Sequence, residues 1–288
     1  MTSASLIKKI ESAGLSVAMV EDRVLKALAE DTHDGDITSL ATISADQKSA
    51  ARFTARKSGV VAGVLVAAAV LEACGINEYE IVKEDGAKVS VGDVILNCSG
   101  NTRSILVAER TALNFLTHLS GIATLTARWM EAIAGTKAKV RDTRKTIPGL
   151  RELEKYAVRV GGGTNHRMTL KDGALIKDNH IASVGSLALA VERVRKEFPG
   201  SEIEVEADTI EQVKEALALK VELILLDNMS ISQTKEAVVL ASGSGTRLES
   251  SGGLTLESVA EYAATGVDFL AVGSLTHSAP ALDIGLDF

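Results

Sequence analysis

From Thr136 onward the chain alternates between short apolar runs that end on a charged or glycine-bearing residue and longer stretches with apolar positions at helical spacing. Six strand ends can be read: VRDTRK (Val140 to Lys145), ALIKDNH (Ala174 to His180), IEVEADT (Ile203 to Thr209), LILLDNM (Leu223 to Met229), RLESSGG (Arg247 to Gly253) and FLAVGS (Phe269 to Ser274). Successive ends lie about 20 to 36 residues apart, the room one crossover helix needs. Six βα units with right-handed crossovers favour a barrel or barrel-like sheet, with an open doubly wound sheet as the alternative and functional groups at the C-terminal ends of the strands. An open doubly wound sheet would want a Gly-x-Gly-x-x-Gly turn after the first strand, and Gly161 to Gly163 precede no such helix start. Asp208 with Glu211 reads as a capping box, Ser230 as a helix start and Gly266 as a helix end.

The first 110 residues follow another pattern, with strands near Ala50 to Arg56, Tyr79 to Lys83 and Val94 to Cys98 and a hairpin-like turn region from Asp85 to Asp93. They predict a small α+β domain over 1–110, with the tail 279–288 packing back on it, ahead of a barrel domain over 111–278. A helix from about Leu106 to Ile133 joins them, its apolar face carried by Leu113, Leu116, Leu119 and Ile122 and a break expected at Gly121. The uncharged run Ser58 to Leu71 is roughly half a bilayer span and holds Gly63, so it reads as a buried helix.

Composition sharpens this picture in three places. A length of 288 residues with 46% apolar and 3% aromatic residues calls for two domains whose cores rest on Val, Leu, Ile and Ala, as buried parallel strands do. Cys74 and Cys98 have no ligand or disulfide spacing and the N-terminus has no signal-peptide pattern, which together predict a cytoplasmic protein. Charge is divided unevenly: Lys137 to Lys177 carries eleven Lys or Arg against four Asp or Glu, +7, so the remainder of a chain of net −7 carries −14. Such a division suits a small anionic ligand better than nucleic acid, which the acidic remainder would repel.

Along the strand ends the chemistry changes in order: cationic at Arg144, Lys145 and Lys177, acidic at Glu206 and Asp227, glycine-rich at Ser251, Gly252 and Gly253 and again at Val272, Gly273 and Ser274. Paired acids opposite cations are the plan for Mg²⁺ with a polyphosphate, since a hard cation takes carboxylate and phosphate oxygens together. The late glycine turns fit a phosphate held by backbone N–H groups. Arg144, Arg167 and Lys177, beside His166, fit carboxylates, and more than one arginine points to more than one carboxylate.

At these residues the sequence resembles the quinolinate phosphoribosyltransferases over essentially its whole length. The resemblance rests on EDTHDGDIT (Glu30 to Thr38), ERTALNFLTHLSGIAT (Glu109 to Thr124), DTRKTIPGLRELEKYAV (Asp142 to Val158), GGGTNHR (Gly161 to Arg167), ALIKDNH, ILLDN, LESSGG and the closing VGSLTHSAPALDIGLDF. It implies transfer of a phosphoribosyl group from 5-phosphoribosyl-1-diphosphate to quinolinate, releasing CO₂ and diphosphate. It implies an incomplete α/β barrel with a smaller N-terminal α/β sandwich domain, in a homodimer in which Arg110 reaches the partner's site. By motif position, Arg110, Arg144, Arg167 and Lys177 would bind quinolinate with His166 lining the pocket, and Thr143 to Lys145 would belong to the substrate-binding run. Lys145, Glu206 and Asp227 would be catalytic, the two acids standing near ribose and Mg²⁺, and Ser251 to Gly253 and Val272 to Ser274 would hold the 5-phosphate. Three other readings compete: a nicotinate phosphoribosyltransferase, a barrel aldolase using Lys145 or Lys177 as a Schiff-base nucleophile, and a sugar-phosphate sensor that needs no paired acids.

Overall fold

The structure, a computed structural model, describes residues 2–32 and 35–288; His33 and Asp34, within the EDTHDGDIT stretch, lie outside the described residues. It divides into two compact units, one made of Met1–Ala127, Glu152–Gly162 and Ser278–Phe288, the other of Arg128–Arg151 and Gly163–His277. The division at 127/128 and the expected boundary at 110/111 both fall within one helix, Thr102–Ala132.

In chain order the first unit opens with α1 (Ala4–Ser12), α2 (Val17–Thr32) and α3 (Ile37–Thr42). There follow β1 (Lys48–Ala55), β2 (Gly59–Val60), α4 (Val64–Ala73), β3 (Glu78–Ile81), β4 (Lys88–Val89), β5 (Val94–Asn101) and α5 (Thr102–Ala132). Ser3 and Asp36 cap α1 and α3, their side chains accepting from backbone N–H groups of the first turn. Every residue of α4 from Val64 to Glu72 is buried, and each such Val or Leu contributes roughly 1.5–3 kcal/mol of burial free energy. The Asp85–Asp93 region does not close on itself as a hairpin: β4 pairs with β2. Gly121 does not break α5 either. A Cβ there would stand 2.2 Å from the carbonyl oxygen of Pro280, so the glycine serves close passage of the C-terminal segment and not helix termination.

The chain goes on through β6 (Lys139–Arg141), α6 (Arg151–Val160), β7 (Ala174–Ile176), α7 (Asp178–Val184), α8 (Leu187–Glu197), β8 (Ile203–Ala207), α9 (Ile210–Ala218) and β9 (Leu223–Asp227). It closes with α10 (Ile231–Ala241), β10 (Arg247–Ser251), α11 (Val259–Ala263), β11 (Phe269–Ala271), α12 (Ser274–His277) and β12 (Ile284–Asp287). The last strand returns to the first unit, where an antiparallel sheet runs β12-β1-β5-β3.

The second unit is built on a six-stranded parallel sheet in the order β6-β11-β10-β9-β8-β7, so each of the six predicted strand ends is a strand of one sheet. Its edge strands β6 and β7 are not paired with each other, which makes the barrel an incomplete one. The segment from Thr164 to Arg167 stitches that gap. Thr164 bridges to Arg141, the His166 N–H donates to Asp142 Oδ1 at 2.9 Å, and Arg167 Nη1 donates to the carbonyl of Gly173, just before β7, at 2.9 Å. The α9 capping box is Thr209 with Gln212, one residue later than Asp208 and Glu211; the threonine hydroxyl accepts from the Gln212 N–H while the glutamine oxygen takes both Asp208 and Thr209 N–H groups. Ser230 caps α10 with Gln233 in the same way. Among the described residues no helix is long and apolar enough to cross a membrane.

Candidate active site

Parallel register brings the strand ends together pairwise. Ile176 pairs with Val205, so the next residues, Lys177 and Glu206, fall side by side, and Lys177 Nζ forms an ion pair with Glu206 Oε2. Asp227 pairs directly with Ser251. Arg141 pairs with Ala271, which sets Thr143 and Lys145 against Gly273: a Cβ on Gly273 would lie 3.0 Å from Lys145 Cδ and 3.4 Å from Thr143 Oγ1. The Lys145 carbonyl accepts from Thr276 Oγ1 at 2.7 Å, tying the first strand's loop to α12, and the Val272 N–H donates to the Arg141 carbonyl at 2.9 Å. Gly252 and Gly253 have φ of +86° and +63°, a conformation that a glycine adopts without strain, and Gly273 to Ser274 leads straight into α12.

Arg144 and Arg167 are among four arginines, with Arg23 and Arg141, whose buried Nε–H has no hydrogen-bond partner among the described residues. Burial lowers the Arg167 pKa, and the charge of Arg144 pushes the same way. Two cations held near each other with donors unsatisfied favour an anion between them. Arg110 belongs to the first unit, exposed on α5.

One step down the strands from these ends lies a tier of buried charge. Arg141, Glu204 and Glu249 are two residues below Thr143, Glu206 and Ser251, hence on the same faces. His166 Nε2 and Glu204 Oε2 are 2.7 Å apart, and Arg141 Nη1 donates to Glu249 Oε2 at 2.8 Å while its guanidinium lies 4.1 Å from the Phe269 ring centroid. Among the described residues, His166, Glu204 and Glu249 form a cluster of three metal-ligand types close enough to share one ion. His166 pairs with Glu204 and Arg141 with Glu249, while the buried Glu204 Oε1 has no hydrogen-bond partner among the described residues. Applying the strand period one step further down would have located Arg141, Glu204 and Glu249; a search confined to strand ends passes over them.

Burial and the neighbouring Glu204 carboxylate push the Glu249 carboxyl up to about 7, against the pull of Arg141. The folded protein therefore holds a proton there that the unfolded chain releases near 4.5, and stability falls as pH rises between those two values and levels off above them. The gap corresponds to roughly 3 kcal/mol. Glu249→Gln should flatten this dependence, checked by urea unfolding at about pH 5 and pH 8; equal slopes for the two proteins would contradict it.

Comparison with known proteins agrees with this geometry. The family model described as quinolinate phosphoribosyl transferase, C-terminal domain, matches residues 122–287, and that of the N-terminal domain matches 36–120. A nicotinate-nucleotide pyrophosphorylase [carboxylating] from Mycobacterium leprae (strain TN) is 52% identical over 272 residues, covering 92% of this chain and 96% of that one. The solved structure of NadC from Streptococcus pyogenes superposes with a TM-score of 0.91 at 40% identity, over 95% of this chain and 97% of that one. Human nicotinic acid phosphoribosyltransferase has a TM-score of 0.62 at 12% identity over 93% and 73% of the two chains, a likeness of fold alone.

Proposed function

The chain belongs to the quinolinate phosphoribosyltransferase family, and from that premise we propose that it transfers the phosphoribosyl group of 5-phosphoribosyl-1-diphosphate to quinolinate, giving nicotinate mononucleotide, CO₂ and diphosphate. The reaction is a step in NAD biosynthesis. The observation that carries the reading is the convergence, at one end of a single parallel sheet, of unsatisfied arginine donors, paired carboxylates and left-handed glycine turns.

Arg144, Arg167 and Lys177, with His166 at the wall, hold the two carboxylates of quinolinate. Ser251 to Gly253 and Val272 to Ser274 hold the 5-phosphate through backbone N–H groups. With the ring nitrogen aligned on the anomeric carbon, the C–N bond forms as the C–O bond to diphosphate breaks, and positive charge builds on the ribose. Glu206 and Asp227 lie opposite that charge and take the ribose hydroxyls, while Lys145 meets the leaving diphosphate. Quaternisation of the nitrogen then lets the C2–carboxylate bond break, its electron pair remaining at C2 to take a proton as CO₂ departs. The oxygen-only donors of Glu206 and Asp227, half-buried on adjacent strands, suit Mg²⁺, which when bound adds charge neutralisation at the diphosphate.

A homodimer, with Arg110 supplied to the partner's site, belongs to the same proposal; its support is an arginine left exposed on α5 within a family-matching motif. So does a cytoplasmic setting, which two free cysteines suit. The nicotinate alternative needs only one carboxylate site, whereas two half-buried arginines and a lysine serve two. Mass analysis of products from quinolinate, the phosphoribosyl donor and Mg²⁺, with nicotinate as the rival acceptor, tests this: nicotinate mononucleotide should form from quinolinate with loss of CO₂. Faster turnover of nicotinate would overturn it.

A further inference from the structure

Among the described residues, two that are not glycine have positive φ: Lys220, at +52°, and Asn228, at +53°. Lys220 directly follows the Leu219 C-cap of α9, where a left-handed residue closes the helix. Asn228 ends no helix; it follows β9 and stands two residues ahead of the Ser230 cap of α10. The left-handed conformation is one that asparagine adopts more readily than most side chains, helped by its own local hydrogen bonds.

Three features meet at this residue. Its Nδ2 donates to Asp227 Oδ2 at 2.8 Å. Its backbone N–H donates to the carbonyl of Ser251, at the start of the Ser251–Gly253 turn, at 2.9 Å. And Gly252 has given up its side chain to it: a Cβ on Gly252 would lie 2.2 Å from Asn228 Oδ1 and 2.6 Å from its Cγ. One residue thus touches the carboxylate that faces the ribose and the turn that faces the 5-phosphate.

We propose that Asn228 is a positioning residue that braces the Asp227 carboxylate against the Ser251–Gly253 turn, fixing the separation of the two subsites that grip opposite parts of the phosphoribosyl donor. The inference rests on the roles given above to Asp227 and the glycine turn. With the left-handed backbone already set, the amide holds one carboxylate oxygen and leaves the other to aim at the ribose. Gly252 is glycine for two reasons, its own φ of +86° and the space Asn228 occupies. The brace acts through Asp227, not on the reacting atoms.

Asn228→Gly keeps the positive φ and the N–H to Ser251 while deleting the amide, so its Tm should stay near that of the parent. Its kcat should fall about tenfold, the loss of roughly one hydrogen bond to a charged group, with the KM for quinolinate within about twofold. Asn228→Asp, of the same size, puts a second carboxylate against Asp227 and should lower kcat further, which keeps the test open should the glycine variant fold poorly. In an Asp227→Asn background, Asn228→Gly should cost nothing more, because the carboxylate it positions is gone. A full tenfold loss persisting in that background, or Asn228 variants with parental kcat beside an impaired Asp227→Asn, would overturn the brace while leaving the proposed function intact. Parental turnover in Asp227→Asn alone would instead sink the role of Asp227, and the brace with it.

Discussion

Replacing Arg167 by alanine should raise the KM for quinolinate by about two orders of magnitude while leaving that for the phosphoribosyl donor within about twofold. The expectation comes from how this guanidinium is held. Nη1 is committed to the carbonyl of Gly173, which fixes the plane of the group, and Nε is buried without a partner. The Nε edge is therefore presented as a preset fork, the geometry that a carboxylate takes bidentately. Burial and the nearby Arg144 both disfavour the cation, so the pair gains when an anion arrives. A hydrogen-bonded charge pair of this kind is worth roughly 1.5–3 kcal/mol, which is where the hundredfold figure sits. Arg167→Lys should recover only part of the loss, because a single ammonium cannot reproduce the fork. Steady-state kinetics with each substrate varied in turn decide the matter, and equal increases in both KM values would remove Arg167 from carboxylate binding.

Much of the second unit was legible because parallel strands covered by helices are written in short apolar runs that stop at charged or glycine residues. All six runs are strands, and Lys177 with Glu206, Asp227 with Ser251 and Thr143 with Gly273 are neighbours because parallel register aligns strand ends. Less legible were features set by tertiary contact. Gly121 looks like a helix breaker in sequence, yet α5 passes through it, since what its missing side chain makes room for is Pro280, far along the chain. The α9 cap slipped by one residue because two capping pairs overlap, Asp208 with Glu211 and Thr209 with Gln212, and the threonine hydroxyl won. The buried tier of Arg141, Glu204 and Glu249 was hidden by the ordinary rule that interior strand positions are apolar. Here ionisable side chains sit in the interior because each glutamate meets a guanidinium or an imidazole, with Glu249 also raised toward its neutral form by burial. Asn228 was hidden for another reason: a positive φ has no signature at an asparagine that a turn would accept anyway.

Asp227 is where the largest loss of turnover is expected. Asp227→Asn preserves size and can still accept from Asn228 Nδ2 through its amide oxygen, and the pairing of this strand position with Ser251 is a backbone matter that the change leaves alone. What disappears is one negative charge. In the ground state the ribose is neutral, so binding of the donor should weaken little on that account. As the bond to diphosphate breaks, positive charge grows at the anomeric carbon, and a preset carboxylate opposite it stabilises that charge without waiting for solvent to reorganise. Removing one such preorganised group typically costs about 100- to 1000-fold in rate, so kcat should fall by that order while the KM for quinolinate, held by the arginines, stays nearly constant. Single-turnover measurements with both substrates saturating isolate this step from product release. If the rate of the chemical step were parental in the asparagine variant, the charge of Asp227 would have no part in the transition state, and the acid opposing the ribose would have to be Glu206 alone, its Oε2 already paired with Lys177.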